Sequence, residues 1–183
     1  MIIDSHAHFV PPALLEHIAD TADMFPSLQL IEQQGGFGFS FAGGKATRPV
    51  SKMLSDSKAR LEWMDQHKID LQIIGGWLDM FGYEMPGDEG VRWSRLINQH
   101  LKDFAATSGG RFLPLASLPM QDGAAAGMIL DEAHQAGFRG AMIGTQPNGS
   151  GGVLDDPSLT PFWEAADRNK SILFIHPVFD SGD

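Results

Sequence analysis

The chain has 183 residues, 43% hydrophobic and 20% charged, a composition that supports one sizeable core and excludes a disordered or fibrous protein. Its 13 Lys and Arg against 23 Asp and Glu give a formal charge of −10 with no basic run, which excludes nucleic acid and anionic membrane as main partners. Cysteine is absent, ruling out disulfides and thiolate ligands, and no signal-peptide pattern or apolar run of about 18 residues occurs, so a cytoplasmic protein is expected.

The first element is Met1 to His8, which predicts a buried strand ended by Pro11-Pro12. Alternate side chains of a strand share a face, so His6 and His8 point the same way, roughly 6.5 to 7 Å apart at Cα, and two imidazoles can converge on one metal ion. Asp4 has the same parity and is either a support for a ligand or part of an inner ion pair. A short helix is expected over Pro12 to Asp20. Residues 21 to 55 show no helical period, and Ser27 to Ile31 and Phe37 to Phe41, separated by Gly35-Gly36, predict a small hairpin within an insertion after the first strand.

From Asp56 onward the pattern repeats. Ser57 to Lys68 reads as a helix with Leu61 and Met64 on one face, followed by a strand over Ile69 to Ile74 and Gly75-Gly76. Asp88 is placed to cap a longer helix carrying Trp93, Ile97, Leu101 and Phe104, stopped by Gly109-Gly110 before a strand over Arg111 to Leu118. Asp122 is placed to cap a third helix, with Ala125, Ile129, Ala133 and Ala136 on one side and Gly137 as its stop, before a strand over Phe138 to Ile143. Asp156-Pro157 opens a fourth helical region through Arg168, and Ser171 to Pro177 is a last apolar run, short enough for a strand buried on both faces, ending in His176-Pro177. Gly149-Ser150-Gly151-Gly152 reads as a flexible loop, since no strand directly precedes it and the Lys-Ser/Thr of a phosphate loop is missing.

Strictly alternating strands and helices predict a parallel α/β sheet, either doubly wound or part of a (β/α)8 barrel. Histidines at the ends of strands one and five, with no Gly-rich loop after strand one, favour the barrel and make His6, His8 and His176 candidate ligands of a catalytic zinc or similar ion. Trp77, Met80, Phe81 and Tyr83 follow the second strand at that same end and are candidate walls of an apolar pocket; packing beneath a loop is the alternative. Thr145, Gln146 and Asn148 follow the fourth strand as polar candidates for orienting a substrate. His17, His67, His100 and His134 fall on helices and read as structural.

Asp4-x-His6-x-His8, Arg48-Pro49-Val50, Arg60 to Met64-Asp65, Met80-Phe81-Gly82-Tyr83, Leu118-Pro119-Met120-Gln121, Ile143-Gly144-Thr145 and Ile175-His176-Pro177 occur in an order that resembles the amidohydrolase superfamily, within it the aminocarboxymuconate-semialdehyde decarboxylase-like branch. The resemblance implies a TIM barrel of the metal-dependent hydrolase type. A complete barrel takes about 250 residues, so residues 1–183 are expected to form a single partial domain, truncated after about five strands, that associates with itself or a partner through open barrel edges. It further implies one divalent ion, zinc by expectation, on His6, His8 and His176, and Arg48 as the arginine that holds a substrate carboxylate. The strand Gly140 to Gly144 lacks the lysine that bridges two metals in binuclear members. The family's later histidine and aspartate have no counterpart in the sequence. The implied activity is decarboxylation of a small unsaturated or aromatic carboxylic acid; hydrolysis of a lactone or amide on the same site, and a catalytically silent half-barrel, are the alternatives.

Overall fold

A computed structural model describes residues 1–148 and 151–178; Gly149 and Ser150 of the expected flexible loop lie outside the described residues. The chain runs β1 (Ile3–His8), α1 (Pro12–Asp20), β2 (Leu28–Gln33), β3 (Gly36–Phe41), α2 (Lys52–Ser55), α3 (Ser57–Gln66), β4 (Leu71–Gly75), α4 (Gly87–Ala106), β5 (Phe112–Pro114), α5 (Gly123–Gln135), β6 (Gly140–Gly144), α6 (Thr160–Asn169) and β7 (Ile172–His176). β2 and β3 pair as an antiparallel hairpin, with Gln33 opposite Gly36 and Gly35 and Gly36 both at positive φ in the turn.

β1, β4 and β5 form one parallel sheet and β6 and β7 another. A parallel bridge between Ala116 and Ala141 joins them, with the Ala116 N–H donating to the Gly140 carbonyl at 2.9 Å and the Met142 N–H to the Ala116 carbonyl at 3.0 Å. Five parallel strands thus lie side by side in chain order, each reached through helices, as right-handed crossovers require. The expected strand over 111–118 is shorter than its apolar run because its two halves serve different neighbours. Phe112 to Pro114 pairs with β4, and Ala116 turns to β6.

The helix layer forms two apolar clusters. In one, Ile74 of β4 packs with Leu14 and Ile18 of α1, Met64 of α3, Trp93, Ile97 and Leu101 of α4 and Phe39 of the hairpin; in the other, β6 packs on Ala126, Ile129, Leu130 and Ala133 of α5 and Phe162 and Ala165 of α6. The buried face of α5 is therefore rotated from the one expected: Ala136 is exposed, and Ala126 with Gly127 faces α6, where a Cβ on Gly127 would lie 2.8 Å from the Pro161 carbonyl oxygen. Asp122 caps α5 as expected, its Oδ1 accepting from the Ala124 and Ala125 N–H groups. Asp88 does not cap α4. Pro86 occupies that position and Asp88 sits in the first turn, paired with Arg92 one turn on at 2.9 Å.

The outer strands are not buried on both faces. Ile2 and Ile3 at one edge and Ile172 and Ile175 at the other remain roughly half exposed, since each of these strands has one sheet neighbour among the described residues. No described helix is long and apolar enough to cross a membrane.

The segment after β5 has few ladder partners, and a side chain takes their place. Buried Asn98 of α4 donates from Nδ2 to the Ser117 carbonyl at 3.0 Å and accepts the Ser117 N–H on Oδ1 at 2.7 Å, acting as a one-residue strand. Asn98→Ala orphans two buried backbone groups, so urea unfolding should show stability reduced by about 2–4 kcal/mol with an unchanged slope.

Candidate metal centre

Neighbouring strands lie about 4.8 Å apart, so a flat five-strand sheet would separate its outer members by roughly 19 Å. Here the outer strands meet. His8 Nε2 at the end of β1 lies 3.2 Å from His176 Nε2 at the end of β7, and the His6 ring stacks on Phe174 of β7 with centroids 4.3 Å apart and planes within 5°. The sheet must therefore curl so that both ends face one interior.

His6, His8 and His176 each bring one ring nitrogen within 4.8 Å of the others, the single such group of three His, Asp or Glu among the described residues. Hydrogen bonds fix two of the rings. His8 Nδ1 lies 3.0 Å from the Gly76 carbonyl and His176 Nδ1 lies 2.7 Å from the Pro177 carbonyl; a carbonyl only accepts, so both Nδ1 atoms carry the proton. The two Nε2 atoms then face each other across the interior. Burial, the largest cause, brings His8 down to about 4, opposed by its Gly76 hydrogen bond and assisted by the neighbouring His6, His176 and Arg60, so at neutral pH the His8 Nε2 offers a lone pair. A metal ion between the rings would accept it. Two imidazoles about 2.0–2.1 Å from one tetrahedral ion have nitrogens roughly 3.3 Å apart, close to the separation found. His6 is lowered too, by burial first and His176 second, with Asp4 opposing, and its Nδ1 is buried without a partner among the described residues.

A β-bulge sets these faces. Between Asp4 and Ala7 the chain advances three residues while its partner β4 advances two, from Gln72 to Ile74. Asp4 and Ala7 therefore both lie on the helix side with Gln72 and Ile74, and His6 and His8 face the interior. Strict alternation put Asp4 beside His6; instead Asp4 Oδ2 accepts from Gln72 Nε2 at 2.7 Å, and Gln72 Oε1 accepts from Arg60 at 3.0 Å. Its other oxygen, Oδ1, accepts the His6 backbone N–H at 3.3 Å.

A cleft of about 540 Å³, which none of the three histidines lines, is bounded by Phe41 and 44–48 from the hairpin side, 78–79 and 81–84 from the loop after β4, and Val178. Of the expected pocket residues it contains Arg48, Phe81 and Tyr83. Trp77 and Met80 are buried in the apolar cluster beneath, where the Met80 carbonyl accepts from Trp93 Nε1. Thr145, Gln146 and Asn148 do not line the cleft: Thr145 Oγ1 accepts from the Val178 N–H, Gln146 Oε1 is buried without a partner among the described residues, and Asn148 is exposed. The cleft adjoins the histidines through β6 and β7. Tyr83 Oη accepts the Gly144 N–H at 3.0 Å, Gly144 pairs with His176, and a Cβ on Gly144 would lie 2.5 Å from Val178 and 3.2 Å from the Tyr83 ring. Burial pushes the Tyr83 phenol well above its ordinary value, so it stays protonated.

Arg48 does not meet a free cleft alone. Its Nε and Nη2 donate to Asp79 Oδ2 and Oδ1 at 2.9 and 2.7 Å, and its Cζ lies 5.5 Å from the centre of the Trp77 ring. Asp79 escaped the sequence reading. The signal was a lone acid within the apolar run Trp77 to Phe81. Of the four other histidines, His17, His100 and His134 stay on helices and His67 is the C-cap just past α3; His17 and His100 unexpectedly meet each other at 3.2 Å, and His134 Nε2 meets Ser171 Oγ at 2.9 Å.

The sequence matches the amidohydrolase family model over residues 3–182. It is 30% identical over 135 residues to 2-amino-3-carboxymuconate-6-semialdehyde decarboxylase of Dictyostelium discoideum, covering 73% of this chain and 37% of that protein. It is 29% identical over 133 residues to gamma-resorcylate decarboxylase of Rhizobium radiobacter, covering 69% of this chain and 40% of that protein. Among solved structures, 5-carboxyvanillate decarboxylase from Sphingomonas paucimobilis superposes with a TM-score of 0.71 at 20% identity, covering 96% of this chain and 51% of that one. A dihydroxybenzoic acid decarboxylase from Polaromonas, solved with manganese and 2-nitroresorcinol, gives 0.71 at 21% identity, covering 97% and 49%. The chain thus spans about two fifths of these curated relatives and about half of these solved structures.

Two outcomes follow from the histidine geometry. Purification in zinc-containing buffer should yield close to one equivalent by elemental analysis, lost in a His6→Ala/His8→Ala double variant; full occupancy in that variant would remove the assignment. In the metal-free protein, folded His8 titrates near 4 while an unfolded histidine titrates near 6.5, so on acidification the unfolded chain takes up its proton first. Stability should therefore fall as pH drops from about 6.5 to about 4, and His8→Gln should flatten that part of the curve when urea midpoints are compared.

Proposed function

The chain belongs to the amidohydrolase family, and on that premise we propose that it carries the metal-binding half of the site of a decarboxylase acting on a small unsaturated or aromatic carboxylic acid. The observation that carries the reading is the convergence of three histidine nitrogens beside a cleft holding a guanidinium and aromatic walls. The decarboxylase names of the curated relatives support the reaction, and their aromatic and muconate acids support the substrate class.

His6, His8 and His176 would hold one divalent ion. We propose zinc, because neutral imidazoles with positions left open are the donor set of catalytic zinc sites; manganese, present in one of the solved relatives, is the alternative to load. Once bound, the ion would supply a Lewis acid for substrate oxygens. Arg48 would hold a carboxylate by two parallel N–H bonds, which a point-like ammonium does not reproduce. Phe81 and Tyr83 would wall the ring, and the Tyr83 phenol, still protonated and already accepting from Gly144, would offer its O–H to a substrate oxygen. The roughly half-exposed Ile2, Ile3, Ile172 and Ile175 fit association of the protein through its two outer strands.

In a complete, active version of the site loaded with zinc or manganese, 2,6-dihydroxybenzoate should release carbon dioxide detectable by mass spectrometry, with Arg48→Lys lowering kcat/KM by roughly 10- to 100-fold. Opening of a lactone without carbon dioxide would move the reading to a hydrolase, and unchanged kinetics in Arg48→Lys would remove Arg48 from the site.

A further inference from the structure

Arg48 already has a carboxylate. Asp79 takes the side-on edge of the guanidinium, Nε and Nη2, and leaves Nη1 and the second Nη2 hydrogen without a partner among the described residues. The free end-on edge is itself a two-donor fork of the geometry that a planar carboxylate requires. The two partners differ in exposure. The Asp79 side chain is 12% exposed and that of Arg48 61%, so the acid is the fixed member and the arginine is presented to the cleft from it. The Trp77 ring, itself buried, lies beneath the guanidinium and restrains its plane.

Charge sets the second half of the argument. Asp79 neutralises Arg48, and the remaining charged groups that line the cleft among the described residues, Lys45 and Glu84, also balance. A cleft without net charge attracts no anion merely for being an anion. Recognition then rests on the donor edge, a fork that two oxygens of one acid group can take together and a single chloride ion cannot.

We propose that Asp79 is the positioning residue for substrate binding, holding Arg48 with its end-on edge toward the cleft and making that edge selective for a two-oxygen carboxylate over a simple anion such as chloride. This rests on the reading that Arg48 binds the substrate carboxylate. It assigns to Asp79 an orienting part and not that of an internal competitor, because a substrate carboxylate can bind the free edge without displacing it.

The test is equilibrium binding of benzoate and of chloride, by calorimetry, to the metal-free protein and to its Asp79→Asn, Asp79→Ala, Asp79→Glu and Arg48→Ala variants, each first shown to be folded by circular dichroism. The unaltered protein should bind benzoate and leave chloride undetected. Asp79→Asn and Asp79→Ala should weaken benzoate by about tenfold or more and gain chloride binding, collapsing the selectivity ratio, and Asp79→Glu should restore part of it. Tighter benzoate binding in Asp79→Asn would make Asp79 a competitor and overturn the proposal, as would an unchanged ratio. Benzoate binding that persists in Arg48→Ala would instead overturn the assignment of Arg48, a result separable from the others. If one Asp79 variant fails to fold, the remaining variants decide by the same ratio.

Discussion

His8 is held from both sides, and the position of the other site residues depends on how. The Gly76 carbonyl fixes its Nδ1 proton and so aims the Nε2 lone pair across the interior at His176, whose own proton is fixed by Pro177. The His8 lone pair so aimed is a place for a cation between the two rings. Among the described residues, β1 and β7 meet further through the stacking of His6 on Phe174 and the approach of the His6 and His176 rings to 5.1 Å. A bound ion would therefore act as a fold element, joining the first and last strands of the described sheet as well as preparing chemistry.

The cleft beside it is assembled from segments that the repeating strand-helix units do not supply. One wall comes from the hairpin and the chain that follows it, and the other from the loop after β4. Glu89 of α4 anchors the start of the hairpin, accepting from both the backbone N–H and the hydroxyl of Ser27 at 2.7 and 2.8 Å. Phe39 and Phe41 then pack against Trp93, which also bonds the Met80 carbonyl. One tryptophan on α4 thus sets the distance between the two walls.

Much of this was legible in the sequence where a periodic pattern met a chemical one. The helix over 12–20, the hairpin and the histidines at strand ends could be read because alternation, turn residues and ligand type agree at those positions. What could not be read depends on contacts remote in the chain. The short β5 follows from Ala116 leaving β4 for β6, the rotated face of α5 from its close approach to α6, and the Arg48–Asp79 pair from a meeting of residues 31 apart. Asp88 illustrates a different limit, for both an N-cap and a first-turn acid satisfy the same helix end, and Pro86 decided between them. Asp4 illustrates a third, because a bulge breaks parity without leaving a mark in the pattern of residue types.

That bulge gives the Asp-x-His spacing two addresses. The histidine goes inward, and the aspartate goes outward to Gln72 and, through it, to Arg60 on α3, while one carboxylate oxygen keeps hold of the His6 amide. A change on the outer helix is thereby mechanically linked to the aim of an interior ring it never touches. Among descendants of a common ancestor, residues at positions 4, 60 and 72 should accordingly be inherited as a set: loss of the arginine would relax the demand for the glutamine, and loss of both would leave the aspartate free to drift only where another group has taken over the turn before His6.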